Sequence, residues 1–236
     1  MQLILLILIL VAGMTASVLL RKLTPAGATC GGLLGLLLFL GAGWTGVLLM
    51  AVFFILGTAA TAWKRSTKVA LGIAEENKGR RHAGQVLANG GMGAACGLVA
   101  WLWPQYAHGA QLMAAAAFSS AAADTLSSEL GSIYGKNFYH ILTFKKDRRG
   151  LDGVISLEGL LLGLCGSCII ALVYSTGFDR WREIAWILIA GTLGNLADSV
   201  AGAAWERRGF IGNDTVNFLN TAFASAVALL CFSVSG

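Results

Sequence analysis

The segment MQLILLILILVAGMTASVLL, residues 1–20, decides the fold class because it is apolar, uncharged and long enough to cross a bilayer. Arg21 and Lys22 follow it directly. A signal peptide has the opposite order, with positive charge before the apolar stretch and a small-residue cleavage site after it. We therefore interpret residues 2–20 as an uncleaved first membrane helix.

The rest of the chain repeats this apolar pattern. Of its 236 residues, 56% are hydrophobic and only 12% are charged, whereas soluble domains usually carry about 25% charged residues. We predict an all-α, polytopic transmembrane helical bundle that forms a single integral membrane domain over residues 1–236. The predicted spans are 2–20, 24–41, 44–63, 84–103, 109–131, 153–174, 184–204 and 214–234. Thr24 should cap the second span, and residues 41–43 should turn the chain; without that turn the count would be seven.

The basic residues indicate the topology. Every Lys and Arg except Arg180 and Arg182 follows span one, three, five or seven. The positive-inside rule puts these loops, chiefly residues 64–83 and 132–152, in the cytoplasm and both termini on the outer face. We expect an integral protein of the inner, cytoplasmic membrane. Its net charge of +5 belongs to membrane loops, so nucleic acid is not an expected partner.

Acidic residues lie within the predicted spans, all towards the cytoplasmic end: Asp124, Glu129, Glu158, Asp198 and Asp214. Charged groups inside a bilayer are costly and by default indicate function. Because the outer halves are nearly bare of polar groups, we expect a site that opens to the cytoplasm and is closed to the outside. This asymmetry disfavours the alternative of a lipid or ion transporter, which needs polar groups through the full thickness.

Carboxylate oxygens of this kind suit Mg²⁺, which binds through one or two carboxylates together with phosphate oxygens. We predict Asp124, Asp198 and Asp214 as metal ligands. Glu129 lies five residues after Asp124, about 140° around the helix, and we expect it to face the cations of the following loop. The alternative for the neighbouring Asn and Ser side chains is hydrogen bonding between packed helices.

The loop FKKDRRGLDGVIS, residues 144–156, has the composition of a phosphate cradle. Its cations would neutralise a nucleoside triphosphate, and its glycines would let backbone N–H groups approach closely. The alternative is an orientation signal attracted to anionic lipid. No Gly-x-x-x-x-Gly-Lys-Ser/Thr pattern exists, so a P-loop is excluded. The predicted nucleotide-binding residues are Lys145, Lys146, Arg148, Arg149, Gly150, Gly153, Ser156, Asn213 and Asn217.

A second basic segment, RRHAGQVLANGG at residues 80–91, precedes the fourth span. Its cations lie at the same predicted membrane interface as the loop. We predict that Arg80, Arg81 and Asn89 hold the phosphate of a lipid substrate.

Four ordered motifs resemble one family of integral membrane proteins. They are AADTLSSELG (122–131), TFKKDRRGLDGVIS (143–156), DSVAGAAWERRG (198–209) and NDTVNF (213–218). The family was first catalogued as a domain of unknown function, and it includes transmembrane protein 19 and plastid phytyl-phosphate kinase. It is remotely similar to dolichol kinases and phosphatidate cytidylyltransferases. Where the family often reads Gly-Thr-Asn-Gly-Gly-Val-Ser, this chain has GLDGVIS, so Asp152 replaces Asn and Val154 replaces Gly.

The resemblance implies an Mg²⁺-dependent kinase that converts an isoprenyl monophosphate, such as phytyl or geranylgeranyl phosphate, to the diphosphate. CTP, or another nucleoside triphosphate, would be the phosphoryl donor. The expected catalytic residues are Asp124, Glu129, Lys146 and Asp198. The runner-up is CTP-dependent cytidylyl transfer to a lipid phosphate. Expected partners are the prenyl-phosphate lipid and membrane lipid, and an oligomer is compatible with the sequence.

Overall fold

The structure is a computed structural model that describes residues 1–74 and 79–235, and it confirms a polytopic helical membrane protein. The helices are α1 (Gln2–Leu19), α2 (Pro25–Ala62), α3 (Arg65–Ala70), α4 (Ala83–Leu102), α5 (Ala107–Tyr134), α6 (Leu157–Phe178), α7 (Ile184–Ala201) and α8 (Asn213–Ser235). Two short strands, β1 (Tyr139–His140) and β2 (Val154–Ile155), pair antiparallel. A π-turn, Gly202–Glu206, extends α7.

Within the described ranges, six helical segments are long and apolar enough to cross a membrane. One of them, α2, has 38 residues, about 57 Å if it were straight and far more than a bilayer core needs. It folds back at Gly43, whose φ of 59° and ψ of −150° are not helical. As a result, a Cβ on Gly35 would lie 3.0 Å from Met50 Cε. The predicted turn is confirmed, and the number of crossings lies between six and eight.

The central helix is α5, which packs against α2, α4, α6, α7 and α8. Its middle is alanine-rich, and residues 114–123 are buried. Small residues let neighbouring helices approach closely: a Cβ on Gly163 of α6 would lie 2.8 Å from the Ala123 carbonyl oxygen. These close contacts hold α5 at the centre of the bundle and so determine where its polar end, residues 124–132, lies.

One end of the bundle collects the basic connections, and we call it the basic face. Thr24 N–H donates to the Arg81 carbonyl at 3.0 Å, which joins the starts of α2 and α4. Trp63 Nε1 donates to Tyr134 Oη at 2.8 Å, which joins the ends of α2 and α5. The described segments at this face are 20–24, 63–74, 79–83, 135–156 and 202–213.

The opposite face carries a polar network that the sequence interpretation missed, because it treated the outer halves as nearly bare. Glu183 is buried and accepts a hydrogen bond from Tyr174 Oη. Its other oxygen lies 2.5 Å from His108 Nε2. Arg180 donates to Gln111 Oε1 at 3.0 Å. The buried middle of α5 lies between this network and the basic face.

Candidate functional site

Two polar cavities open at the basic face and meet at α5. Their volumes are about 240 and 180 Å³, and each has room for a phosphate group because one water occupies ~30 Å³. The first, which we call the mixed cavity, contains Arg81, Gln85, Asn89 and Glu129. The second, which we call the acidic cavity, lies between α5, the 150–156 loop and the end of α7. Residues lining both cavities are Asp124, Ser128, Ser132, Gly150 and Asn213.

Within the described part of the chain, four carboxyl groups line the acidic cavity: Asp124, Asp152, Asp198 and Glu206. The Asp124 and Asp198 side chains line this cavity together and interact with each other, although they come from different helices. Among the described residues, no Lys or Arg lines this cavity. Closely spaced carboxylates without a cation repel one another, so the arrangement favours either a shared proton or a bound cation.

A chain of hydrogen bonds orients this pair. Asn220 of α8 is buried, and its Nδ2 donates to Asp198 Oδ1 at 2.6 Å. Ser120 Oγ donates to Asn220 Oδ1 at 3.0 Å. Because these groups come from three helices, the position of the Asp198 carboxylate depends on how α5, α7 and α8 pack. Packing of these three helices therefore brings Asp198 of α7 to the cavity that Asp124 of α5 also lines.

The loop that closes the acidic cavity is held in place by glycine and by an ion pair. Gly150 and Gly153 have φ values of 77° and 72°, a backbone region that favours glycine. A Cβ on Gly153 would lie 2.6 Å from the Ala203 backbone nitrogen, so a larger residue does not fit there. Arg207 donates to Asp147 Oδ2 at 2.6 Å and ties the loop to the end of α7.

Titration of the loop carboxyls follows from these contacts. The hydrogen bond from Arg207, together with the Arg148 N–H, lowers the pKa of Asp147 below its usual range. Burial raises the pKa of Asp152, with Arg207 opposing that rise. Asp152 is therefore the loop acid whose charge state is most sensitive to a cation in the acidic cavity.

The cations of the predicted phosphate cradle are exposed, and none lines either polar cavity. Arg149 lies over the Phe138 ring, with 5.2 Å between the guanidinium carbon and the ring centroid. The structure thus divides the loop into a glycine-containing part that lines the acidic cavity and a basic part on the surface. The basic residues are Lys145, Lys146, Arg148 and Arg149. Ser156 lines the acidic cavity and also caps α6, where it accepts from Gly159 N–H at 3.1 Å.

The predicted lipid-phosphate residues separate in the structure. Arg81 and Asn89 line the mixed cavity, and Asn89 Nδ2 donates to the Gln85 carbonyl at 3.0 Å. Arg80 Nε instead donates to the Leu23 carbonyl at 3.1 Å and lines neither polar cavity. The structure therefore brings two of the three to the same cavity.

Glu129 does not meet the 144–150 cations; it pairs with Lys68 of α3. The expectation that Glu129 faces those cations is wrong, because Lys68 approaches it from the preceding basic segment. Lys68 is only 1% exposed, and its Nζ also donates to the Ala60 carbonyl at 2.7 Å. A buried ion pair that is also hydrogen-bonded fixes both side chains, so Glu129 forms an anchored wall of the mixed cavity.

Asp214 lies apart from the other predicted metal ligands. Its Oδ2 is 3.9 Å from His82 Nε2, and its side chain is 42% exposed. It lines neither polar cavity, whereas Asn213 and Asn217 of the same helix both line the mixed cavity. Asn217 Nδ2 donates to Asn213 Oδ1.

Sequence reasoning named neither Lys68 nor Glu206 as a residue of this site, and it treated Asp152 only as a departure from the family pattern. The departure from the family pattern at Asp152 was a usable signal. Glu206 comes from the π-turn, which shifts the side chains that follow around the helix axis, and a sequence pattern does not give that shift. Asn220 also belongs to this site, and its partner on α7, Asp198, could not be read from the sequence.

The carboxyl groups of the acidic cavity are oxygen donors, which Mg²⁺ prefers. The described residues hold no cluster of three or more His, Cys, Asp or Glu side chains arranged to bind a metal. Mg²⁺ does not need one, because it usually keeps several waters and binds one or two carboxylates plus substrate phosphates. The adjacent Asp124 and Asp198 carboxyls fit that requirement.

The fold and this cavity pair define the class of protein: a polytopic helical membrane protein with a carboxylate-lined site at its basic face. Comparison with known sequences gives the family. The chain belongs to the integral membrane protein family DUF92, which matches residues 7–225. The resemblance inferred from the four motifs is confirmed.

Individual relatives come from a plant, a cyanobacterium and an archaeon. Chloroplastic protein VTE6 of Arabidopsis thaliana is 37% identical over 215 residues, which cover 88% of this chain and 65% of the length of VTE6. An uncharacterized membrane protein of Synechocystis is 31% identical, covering 89% of this chain and 82% of its own. One from Methanocaldococcus jannaschii is 30% identical, covering 90% and 87%. No solved structure matches the chain.

Proposed function

We propose that the protein is an isoprenyl-phosphate kinase that transfers a phosphoryl group from a nucleoside triphosphate to a prenyl monophosphate. CTP is the first candidate donor. Phytyl and geranylgeranyl phosphate are the candidate acceptors. The observation that carries the proposal is the pair of cavities that meet at Asp124. One cavity offers Arg81 and amides to an acceptor phosphate, and the other offers adjacent carboxyls to the metal-bound phosphates of a donor.

Membership of the family supports this choice. The four motifs resemble a family that includes plastid phytyl-phosphate kinase, and all four contribute to the acidic cavity, through Asp124, residues 150–156, Asp198 and Asn213. The positive-inside rule favours a basic face towards the cytoplasm, where nucleotides are available. The fold, the site and the family therefore point to the same class of reaction.

The chemistry asks little of the protein beyond position and charge. An acceptor phosphate monoester is already largely ionised near neutral pH, since its second pKa is about 6, so no strong general base is required. Mg²⁺, when bound by Asp124 and Asp198, would supply charge neutralisation at the donor phosphates. Arg81 would neutralise the acceptor phosphate and hold it in line with the donor. The cations of the exposed loop, residues 145–149, would meet the outer part of the nucleotide.

The acidic cavity explains why the donor would arrive with its metal. Carboxyl groups of Asp124, Asp152, Asp198 and Glu206 line this cavity, and a triphosphate alone would be repelled by them. The backbone at Gly150 and Gly153 leaves space for a phosphate to approach the loop closely. A neutralised donor phosphate could then meet the acceptor phosphate at Asp124, which lines both cavities.

The test is the identity of the product. Purified protein, Mg²⁺ and geranylgeranyl monophosphate are incubated with CTP labelled at the γ or the α phosphorus. A kinase moves the γ label to lipid and yields the diphosphate. Cytidylyl transfer, the runner-up, moves the α label and releases pyrophosphate. Absence of lipid labelling with CTP, ATP, GTP and UTP on either prenyl acceptor would overturn the proposal.

A further inference from the structure

An apolar groove leads from the basic face towards the middle of the bundle. It lies between α1, both limbs of α2 and the start of α4, and Phe118 of α5 contributes to its wall. Ile9, half-way along α1, is its farthest lining residue on that helix. The volume is about 200 Å³. Since an apolar cavity of ~150 Å³ binds one benzene, the groove admits part of one hydrocarbon chain and not two chains side by side.

Glycines at two lining positions keep this groove open. A Cβ on Gly13 of α1 would have no atom within 4 Å. On the facing helix α2, a Cβ on Gly31 would reach only Val86, at 3.9 Å. Glycines that served close helix packing would instead show contacts such as the one at Gly163. The groove is therefore open at Gly13 and Gly31, whereas Gly32 beside them packs against Met14 of α1.

The polar end of the groove is continuous with the mixed cavity. Arg81, Gln85 and Asn89 line both. The Arg81 guanidinium carbon lies 5.5 Å from the Phe53 ring centroid, so this cation stands where the apolar wall ends. A cation and two amides at the mouth of an apolar groove are complementary to an anionic head on a hydrocarbon chain.

The continuation of the mixed cavity gives the groove a direction. Asp124 lines the mixed cavity on the side that it shares with the acidic cavity. A phosphate held beside Arg81 and Asn89 would therefore have the acidic cavity ahead of it and its chain in the groove behind it. This order is the one that in-line transfer to a lipid phosphate needs.

We propose that this groove binds the proximal part of a single-chain lipid monophosphate, whose phosphate meets Arg81 and Asn89. It selects against lipid phosphates with two chains, such as phosphatidic acid. The remainder of the chain extends into surrounding lipid, so its length is selected only weakly. This inference rests on the proposed function, and it names the acceptor class and the acceptor subsite.

The test fills the groove without touching the polar site. Gly13→Phe projects a ring into the open space, whereas Val11→Phe adds the same ring on the same helix at an exposed position that does not line the groove. Thermal unfolding in detergent is followed with geranylgeranyl monophosphate, dioleoyl phosphatidic acid or Mg²⁺–CTP, each added alone. A ligand that binds only the folded state raises the midpoint.

Wild type and Val11→Phe should be stabilised by the prenyl phosphate, and Gly13→Phe should lose about tenfold or more in apparent affinity, because a single methylene in an apolar pocket is worth ~10–200-fold. All three should keep the same response to Mg²⁺–CTP, and phosphatidic acid should bind weakly. Gly31→Leu fills the groove from α2 and replaces Gly13→Phe if that variant does not fold.

Equal prenyl-phosphate binding by the filled and control variants, or equal binding of phosphatidic acid and prenyl phosphate by wild type, would overturn the groove assignment. These outcomes are distinct from failure of the kinase proposal. If the groove variants lose prenyl-phosphate binding while wild type shows no phosphoryl transfer from any nucleotide, the lipid site stands and the kinase does not.

Discussion

Replacing Gly153 with Ala should displace the loop that closes the acidic cavity. Gly153 has a φ of 72°, and a non-glycine residue in that region costs ~1–2 kcal/mol. The new Cβ would also lie 2.6 Å from both N and Cα of Ala203, and overpacking of this kind costs ~1–3 kcal/mol. Together the two effects should make the free energy of docking the loop less favourable by about 2–5 kcal/mol.

Gly209 provides the matched control, because its φ is 75° but a Cβ there would have no atom within 4 Å. Gly209→Ala should therefore cost only the ~1–2 kcal/mol of backbone strain that a positive φ imposes on a residue other than glycine. The assays are thermal unfolding in detergent, tryptic cleavage of the loop and stabilisation by Mg²⁺–CTP. Gly153→Ala should be cleaved faster and should lose most of the nucleotide response. Equal behaviour of the two variants in all three assays would refute the close packing of the loop against Ala203.

Other contacts at the basic face give further predictions. Lys68→Met should destabilise the fold by ~3–5 kcal/mol, because it leaves the Glu129 carboxylate without its buried partner. A double-mutant cycle with Glu129→Gln should show a coupling energy above ~1 kcal/mol. Additive effects of the two substitutions would contradict the ion pair. Asp147→Asn should accelerate tryptic cleavage of the loop by removing its bond to Arg207. The lowered pKa of Asp147 means that this ion pair is fully present above pH 3.8 and is lost as the pH falls through that lowered pKa. Burial raises the pKa of Asp152 above 3.8, so Mg²⁺ affinity should weaken as the pH falls through this raised pKa, and Asp152→Asn should flatten that dependence.

The helical fold could be predicted from the sequence because membrane spans have a strong local signal. Apolar runs of sufficient length gave the helices. The predicted cap at Thr24 is confirmed at the start of α2, where Thr24 Oγ1 accepts from Gly27 N–H at 3.0 Å. The turn before the third predicted span was also local, since Gly43 supplies its non-helical backbone.

The arrangement of the site was only partly predictable. The sequence placed Asp124 and Asp198 at a similar depth in the membrane, but it did not say which of the carboxyl groups meet. Helix orientation was harder, because a membrane helix is apolar on most faces and so its inward face has no clear pattern. This is why Asp214 was grouped with the other two acids, although the structure puts it beside His82. It is also why Lys68, which reaches Glu129 from a six-residue helix, was not recognised.

The loop shows a different limit of sequence reasoning. Its composition suggested that the cations and the glycines act on the same ligand at the same place. In the structure, Gly150 and Gly153 line the acidic cavity, while the basic side chains at positions 145–149 are exposed. The pairing of β1 with β2 and the bond from Arg207 to Asp147 determine this division, and both are long-range contacts.

The most direct test of the central claim compares three aspartates in one assay. Initial rates of γ-phosphoryl transfer from Mg²⁺–CTP to geranylgeranyl monophosphate are measured for Asp124→Asn, Asp198→Asn and Asp214→Asn, each shown to be folded. The first two should fall by about a hundredfold or more, because each removes preorganised electrostatic stabilisation of the transition state. Asp214→Asn should stay within about threefold of wild type. Near-normal rates for Asp124→Asn and Asp198→Asn would contradict the assignment of the acidic cavity as the catalytic site.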